Sequence, residues 1–230
     1  MEIYRNRKSH KITNKIIVYG LGPMAELAKF YFDYDSDYEV VAFTVEHKYA
    51  DKTEFQGLPV ILFEKLEEKY SPSEYWLFIA IAYTKMNTVR EEKYLEGKKK
   101  GYKFANYISS KATIWTNSIG ENNFILEDNT IQPFVTIGNN NTIWSGNHIG
   151  HHGSIGNNNF ISSHVVISGM VHIKNNCFIG VNATLRNDIT IANKTLIGAA
   201  AVVLKNTQDN EVYATRQTDL FLKKSDEVKL

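Results

Sequence analysis

Four of the seven histidines in this 230-residue chain, His148, His151, His152 and His164, fall within seventeen residues of one another. Imidazole moves protons near neutral pH, and it also binds zinc, so the cluster offers a general base or a metal site. A three-histidine set of His148, His151 and His152 is the metal reading. Adjacent strand residues point to opposite faces, which makes His151 and His152 a poor pair of ligands. A second group lies far upstream, where Gly20, Leu21 and Gly22 precede Pro23. Glycines between a strand and a helix let backbone amides approach a phosphate; a plain tight turn is the equal alternative.

The elements that carry the histidines follow from a repeat. From Ile119 an aliphatic residue returns at every sixth position through Ile125, Ile131, Ile137 and Ile143 up to Ile197 and Val203, fifteen positions without a miss. Six residues turn a helix through about 600°, so no helix keeps one face at that period. A lone strand needs period two. The pattern fits a three-sided coil of eighteen residues per turn, with aliphatic columns such as Ile131, Ile149, Ile167, Leu185 and Val203. Small residues stand two positions earlier, among them Val135, Val165, Cys177 and Ala183, and asparagine runs at 139–141 and 157–159 fall where corners are needed. Asparagine tolerates the left-handed backbone of such corners. The coil puts Gly169 one turn from His151 on the same face.

Ahead of the repeat, residues 15–20 (KIIVYG) read as a buried strand and Pro23 opens a helix. Strands follow at 38–45, 58–60 and 75–82, helices near 63–70 and 86–100, and a last strand at 102–106. This alternation predicts a parallel sheet with crossovers. The division is 1–106, a small Rossmann-like α/β domain, and 107–230, a parallel β-helix with a C-terminal tail. Some 105 residues are too few for a full dinucleotide fold, whereas a nucleotide sugar suits a half-sized one. Glu46, just past the second strand, is a candidate for the ribose or base, or else a solvated acid.

The [Ile/Leu/Val]-Gly-x-x-x-x repeat resembles the hexapeptide-repeat acyltransferases, whose coils are left-handed. An α/β domain before such a coil resembles the nucleotide-sugar N-acetyltransferases of bacterial bacillosamine-type pathways and the related sialic acid O-acetyltransferase group. The resemblance covers residues 15–215 and implies direct acetyl transfer from acetyl-CoA to a nucleotide-linked amino sugar, in a homotrimer with the thioester between adjacent coils. Ile149 to Gly156 lines up with the family's Ile-x-His-[Asp/Glu]-x-x-Ile-Gly segment. His151 falls on the catalytic base and Gly169 on the glycine whose amide meets the thioester carbonyl. His152 replaces the usual acid, as a partner to the base or a substrate contact. Pantetheine would follow Val181 and Ala199, with Lys205 near a phosphate. The chain departs from the family in Val45-Glu46-His47, where paired Asp is common, and in Val212-Tyr213-Ala214-Thr215, where the family has Gly-x-Pro-Ala. Sugar O-acetylation is the alternative reaction, and a γ-class carbonic anhydrase the remote one.

Bulk properties fit this reading. With 26 Lys and Arg against 25 Asp and Glu, the net charge of +1 gives no reason to expect nucleic acid or a membrane surface. The single cysteine, Cys177, excludes an internal disulfide, and no stretch approaches the roughly 20 apolar residues of a membrane span. The polar N-terminus lacks a signal peptide's apolar core, so the cytoplasm is expected.

Overall fold

The computed structural model describes residues 14–220 together with 222, 224, 226 and 228. The expectations for residues 1–13 and for part of the tail lie outside the described residues. Strand β1 (Asn14–Tyr19) leads to helix α1 (Pro23–Tyr34), β2 (Tyr38–Val45), β3 (Glu54–Phe55), β4 (Leu58–Leu62), a short helix α2 (Leu66–Lys69), β5 (Tyr75–Ile79), α3 (Thr88–Lys99) and β6 (Lys103–Phe104). They form one sheet in the order β3-β4-β2-β1-β5-β6. All its pairs are parallel except β3 with β4, an unforeseen hairpin turning at Gln56 and Gly57, both at positive φ. The strand foreseen to Ala82 ends at Ile79, and α3 begins two residues late. Between them Lys85, Met86 and Asn87 all take left-handed backbone (φ +50°, +51° and +65°), which no helix can absorb.

The second half is the three-sided coil, and its fold is a left-handed parallel β-helix. Its first face stacks Thr113–Ile114, Thr130–Ile131, His148–Ile149, Val166–Ile167, Thr184–Leu185 and Val202–Val203. The second stacks Thr136–Ile137, Ser154–Ile155, His172–Ile173 and Thr190–Ile191; the third runs in seven strands from Tyr107–Ile108 to Val212–Tyr213. Partners eighteen apart, such as Ile131, Ile149, Ile167 and Leu185, meet in parallel register. All are 2% exposed or less, and with the small inward residues they form one continuous core.

Corners follow the same beat. Every sixth residue from Asn122 to Ala200 is left-handed, with φ +55° to +65°, or +78° at Gly146. The middle asparagines of the two runs, Asn140 and Asn158, are among them, while their neighbours build rails: Asn157 Oδ1 accepts from the Asn139 amide and Asn175 Oδ1 from the Asn157 amide, each at 2.8 Å.

The coil starts earlier than the repeat indicates. Ile108 and Ile114 also pack on the core, but Ile119 follows Ile114 after five residues instead of six. Thr113–Ile114 pairs with Thr130–Ile131 seventeen residues on. At the other end Val212–Tyr213 pairs with Leu196–Ile197, so the first part of the tail covers an open coil edge.

The α/β part docks on the third face. Phe78 and Tyr31 pack on Phe124, and Tyr83 packs on Phe160 and Phe178 with centroids 4.9 and 5.0 Å away. Asn122 Oδ1 accepts from the Ile79 amide at 2.8 Å, and Asn87 Nδ2 donates to Cys177 O at 3.0 Å. The Arg90 guanidinium, 1% exposed, donates to Ile81 O, Ala82 O, Asn140 O and Asn159 O. It thereby ties the loop after β5 to two coils. Asp35 accepts from Tyr107 Oη at 2.8 Å, Ser109 Oγ at 3.2 Å and the Ser110 amide at 2.9 Å, fastening the end of α1 to the first coil. Among the described residues, no helix is long and apolar enough to cross a membrane.

Candidate active site

His151 and His152 lie on the corner between the first and second faces, both exposed. Alternation of faces holds within a strand and fails at this turn: His152 is left-handed (φ +57°), and the two Nδ1 atoms come within 3.0 Å. The expectation that the adjacent rings must diverge is corrected here. One Nδ1 donates and the other accepts. If His151 donates, its Nε2 carries the free lone pair a base needs, and His152 occupies the place of an orienting acid. The Gln132 side chain accepts from the His151 amide at 3.0 Å, and the Phe134 ring lies 4.6 Å from that of His152.

Gly169 stands one coil above. A Cβ built on it would lie 2.9 Å from His151 Cε1 and 3.0 Å from Nε2, so any larger residue would press on the imidazole. Among the described residues, no acceptor meets the Gly169 N–H. A ring nitrogen beside an unpaired amide is the minimal equipment for an addition in which a nucleophile loses a proton and a carbonyl oxygen gains charge.

The remaining residues are distributed. Lys205 is exposed and lies on the same corner, two coils or about 10 Å above Gly169. Val181 and Ala199 stand on the corner between the third and first faces, so one copy of the chain does not gather them beside His151. His164 takes a left-handed corner with its ring over Gly146, and His148 is exposed on a middle strand of the first face. A pairing that sequence reasoning missed joins Ser154 Oγ to His172 Nδ1 at 2.8 Å; its only signal was the eighteen-residue spacing. Cys177 is fully buried, and burial pushes its thiol up to about 11. Among the described residues, no three His, Cys, Asp or Glu side chains gather as a metal set.

In the α/β sheet, the strand order reverses between β1 and β5, the usual crevice for ligands at the carboxyl ends of strands. Gly20, Leu21 and Gly22 sit there. Gly20 has φ +128°, and a Cβ would come 3.0 Å from Ala80 O. Gly22 is the extended N-cap of α1, with nothing within 4 Å of a Cβ position, so the helix N-terminus is open. Glu46 is engaged: Lys93 Nζ lies 3.0 Å away and Lys48 Nζ 3.2 Å. Burial acts to raise the Glu46 carboxyl, but the hydrogen bonds and charges of Lys93 and Lys48 outweigh it and hold the group below its ordinary value.

Comparison with known proteins agrees with the architecture. Residues 118–151 match the bacterial transferase hexapeptide (six repeats). A search of curated proteins finds no match. The acetyltransferase domain of PglB from Neisseria gonorrhoeae superposes with a TM-score of 0.74 at 20% identity, over 87% of this chain and 96% of that one. PerB from Caulobacter crescentus, solved with CoA and GDP-perosamine, gives 0.74 at 21%, over 86% and 93%. WeeI from Acinetobacter baumannii gives 0.73 at 22%, over 87% and 96%. The chain carries the hexapeptide repeat and has the fold of the left-handed β-helix sugar N-acetyltransferases.

Proposed function

We propose that this chain transfers the acetyl group of acetyl-CoA to the amine of a nucleotide-linked amino sugar. The observation that carries the reading is the His151 imidazole one coil from the unpaired Gly169 amide. The fold shared with PglB, which has been solved with acetyl-CoA, and with PerB adds support. Residues 1–106 hold the nucleotide, its diphosphate near Gly20, Leu21 and Gly22 at the start of α1, with Glu46 at the border of that crevice. Residues 107–230 carry the transfer.

The sugar amine attacks the thioester carbonyl while His151 Nε2 takes its proton. The Gly169 N–H donates to the oxyanion, and His152 accepts from His151 Nδ1–H as the ring becomes imidazolium. The tetrahedral adduct then collapses, the C–S bond breaks, and the imidazolium returns the proton to the departing CoA sulfur. The scheme needs neither a metal nor a covalent acyl-enzyme. Pantetheine runs along Val181 and Ala199 with Lys205 at a phosphate, and the separation of these residues over two corners favours a homotrimer in which neighbouring copies complete each site. Cytoplasmic acetyl-CoA and nucleotide sugars place the reaction in the cytoplasm, as a step in surface glycan synthesis.

The test is CoA release, followed by thiol titration, over a panel of nucleotide amino sugars with His151→Ala beside the wild type. A general base contributes about 10²- to 10⁴-fold, and kcat of the variant should fall by that much. Normal turnover in a folded His151→Ala removes the base assignment, and no release with any panel member removes the activity.

A further inference from the structure

Beneath the two histidines, on the same corner, a groove of about 620 Å³ follows the lower coils. Its lining includes Trp115, Asn117, Ser118, Phe134 and Thr136. It opens at residues 115–118, where the five-residue step from Ile114 to Ile119 makes this corner one residue shorter than those above. Two large aromatic side chains stand in it almost unprotected, Trp115 at 67% and Phe134 at 70% exposure. Neither contributes to the hydrophobic clusters of the fold.

Phe134 is the more informative. It occupies one of the left-handed corner positions, at φ +65°, where most of its counterparts are Asn, Asp, Gly or His. A bulky residue there costs roughly 1–2 kcal/mol, and an exposed ring recovers none of it by burial. Among the described residues its one ring contact is with His152 at 4.6 Å, and His152 in turn bonds His151. The groove is therefore continuous with the candidate catalytic corner, one strand spacing of about 4.8 Å below it. Its chemistry is mixed. Flat aromatic faces accept the C–H face of a pyranose, and the side chains of Asn117, Ser118 and Thr136 can pair with ring hydroxyls.

We propose that Trp115 and Phe134 form the stacking platform for the pyranose ring of the acceptor, holding the sugar so that its amine rises to His151. This rests on the acetyl-transfer reading above. It adds a sugar-specific subsite on the coil at the corner away from the third face, so the same ligand's nucleotide lies in the crevice of a neighbouring copy's α/β part.

Two measurements test it. The first takes separate KM values for acceptor and for acetyl-CoA in Phe134→Asn and Trp115→Ala. Asparagine suits the left-handed backbone, so Phe134→Asn folds at least as well as the wild type. Each variant should raise the acceptor KM by about tenfold and leave the acetyl-CoA KM unchanged. The second titrates the wild type with GDP-perosamine, with dTDP-4-amino-4,6-dideoxyglucose and with GDP and dTDP alone, reading tryptophan emission against Trp115→Phe. At least one amino sugar should quench the wild type alone, and the bare nucleotides should not.

Unchanged acceptor KM values overturn the proposal, as does an equal response to bare nucleotide, which would assign the rings to the base. So does a smaller assembly of both variants in sedimentation, which would make the groove a contact between copies. Quenching by sugar without CoA release from any acceptor keeps the platform and removes the acetyl transfer. Silence in both measurements removes both.

Discussion

Replacing Arg90 by methionine keeps an unbranched apolar stem and removes the guanidinium fork that joins the two halves of the molecule. The guanidinium makes four contacts to backbone oxygens, at 3.3 Å to Ile81, 2.9 Å to Ala82, 3.2 Å to Asn140 and 2.9 Å to Asn159. Hydrogen bonds from a charged donor contribute about 1.5–3 kcal/mol each. Against them stands the desolvation of a cation that bonds no carboxylate among the described residues, several kcal/mol in a protein interior. Burial pushes the Arg90 guanidinium down to about 9, which still leaves it charged at neutral pH. Methionine relieves that cost but takes a donor from four carbonyl oxygens: Asn159 O keeps the Thr142 amide at 2.9 Å, Ile81 O and Ala82 O are part-buried, and Asn140 O is left buried without a donor among the described residues. The net loss should be about 3–5 kcal/mol, lowering Tm by roughly 10 °C for a chain of this size. Arg90→Lys should recover only part of this, because a single ammonium cannot span the loop and both coils. Urea and thermal unfolding, read by circular dichroism with KM for the acceptor alongside, provide the assay. An Arg90→Met protein within about 1 kcal/mol of wild type would refute the argument that this fork fastens the halves together.

Two other substitutions are informative. His152→Phe preserves the ring packing on Phe134 but removes the Nδ1 acceptor, and kcat should fall about ten- to a hundredfold, less than for loss of the base itself. His152→Glu should retain activity, and equal kcat for Phe and Glu would end the orienting role. At Asp35, burial works to raise the carboxyl, yet the hydrogen bonds from Ser110, Tyr107 and Ser109 prevail and hold it below its ordinary value. A carboxyl depressed in the folded state gives stability that is full above its unfolded value and is lost as pH falls through the folded one. Asp35→Asn should therefore be destabilised by about 1–2 kcal/mol at pH 7. The gap to wild type should close in urea melts below about pH 4, and a constant gap would contradict the cause given.

The coil was legible because one constraint repeats. Each aliphatic residue must enter a narrow prism, so Ile131, Ile149 and Ile167 announce their own stacking. The repeat itself could be counted only from Ile119, because the step from Ile114 to Ile119 breaks the beat by one. Arg90 was illegible for a different reason: it lies in α3, TVREEKYLEGKK, among charges that read as a solvated face, and its acceptors are backbone atoms that no side-chain pattern encodes. His151 and Gly169 could be paired on paper from the eighteen-residue turn. The contact of His151 with His152 could not, since it depends on a left-handed corner residue that turns the second ring back toward the first.

The asparagine rails have an architectural consequence. Asn139, Asn157 and Asn175 each present the same pair of groups upward and downward, so neighbouring storeys of the column are interchangeable at that corner. Coil number is then free to vary without redesign of the layers beneath. Inserting eighteen residues of the same pattern above Leu185 would leave His151 and Gly169 untouched while lifting Lys205 by one strand spacing, about 4.8 Å. The distance from the imidazole to the proposed Lys205 phosphate contact is thus set by counting turns.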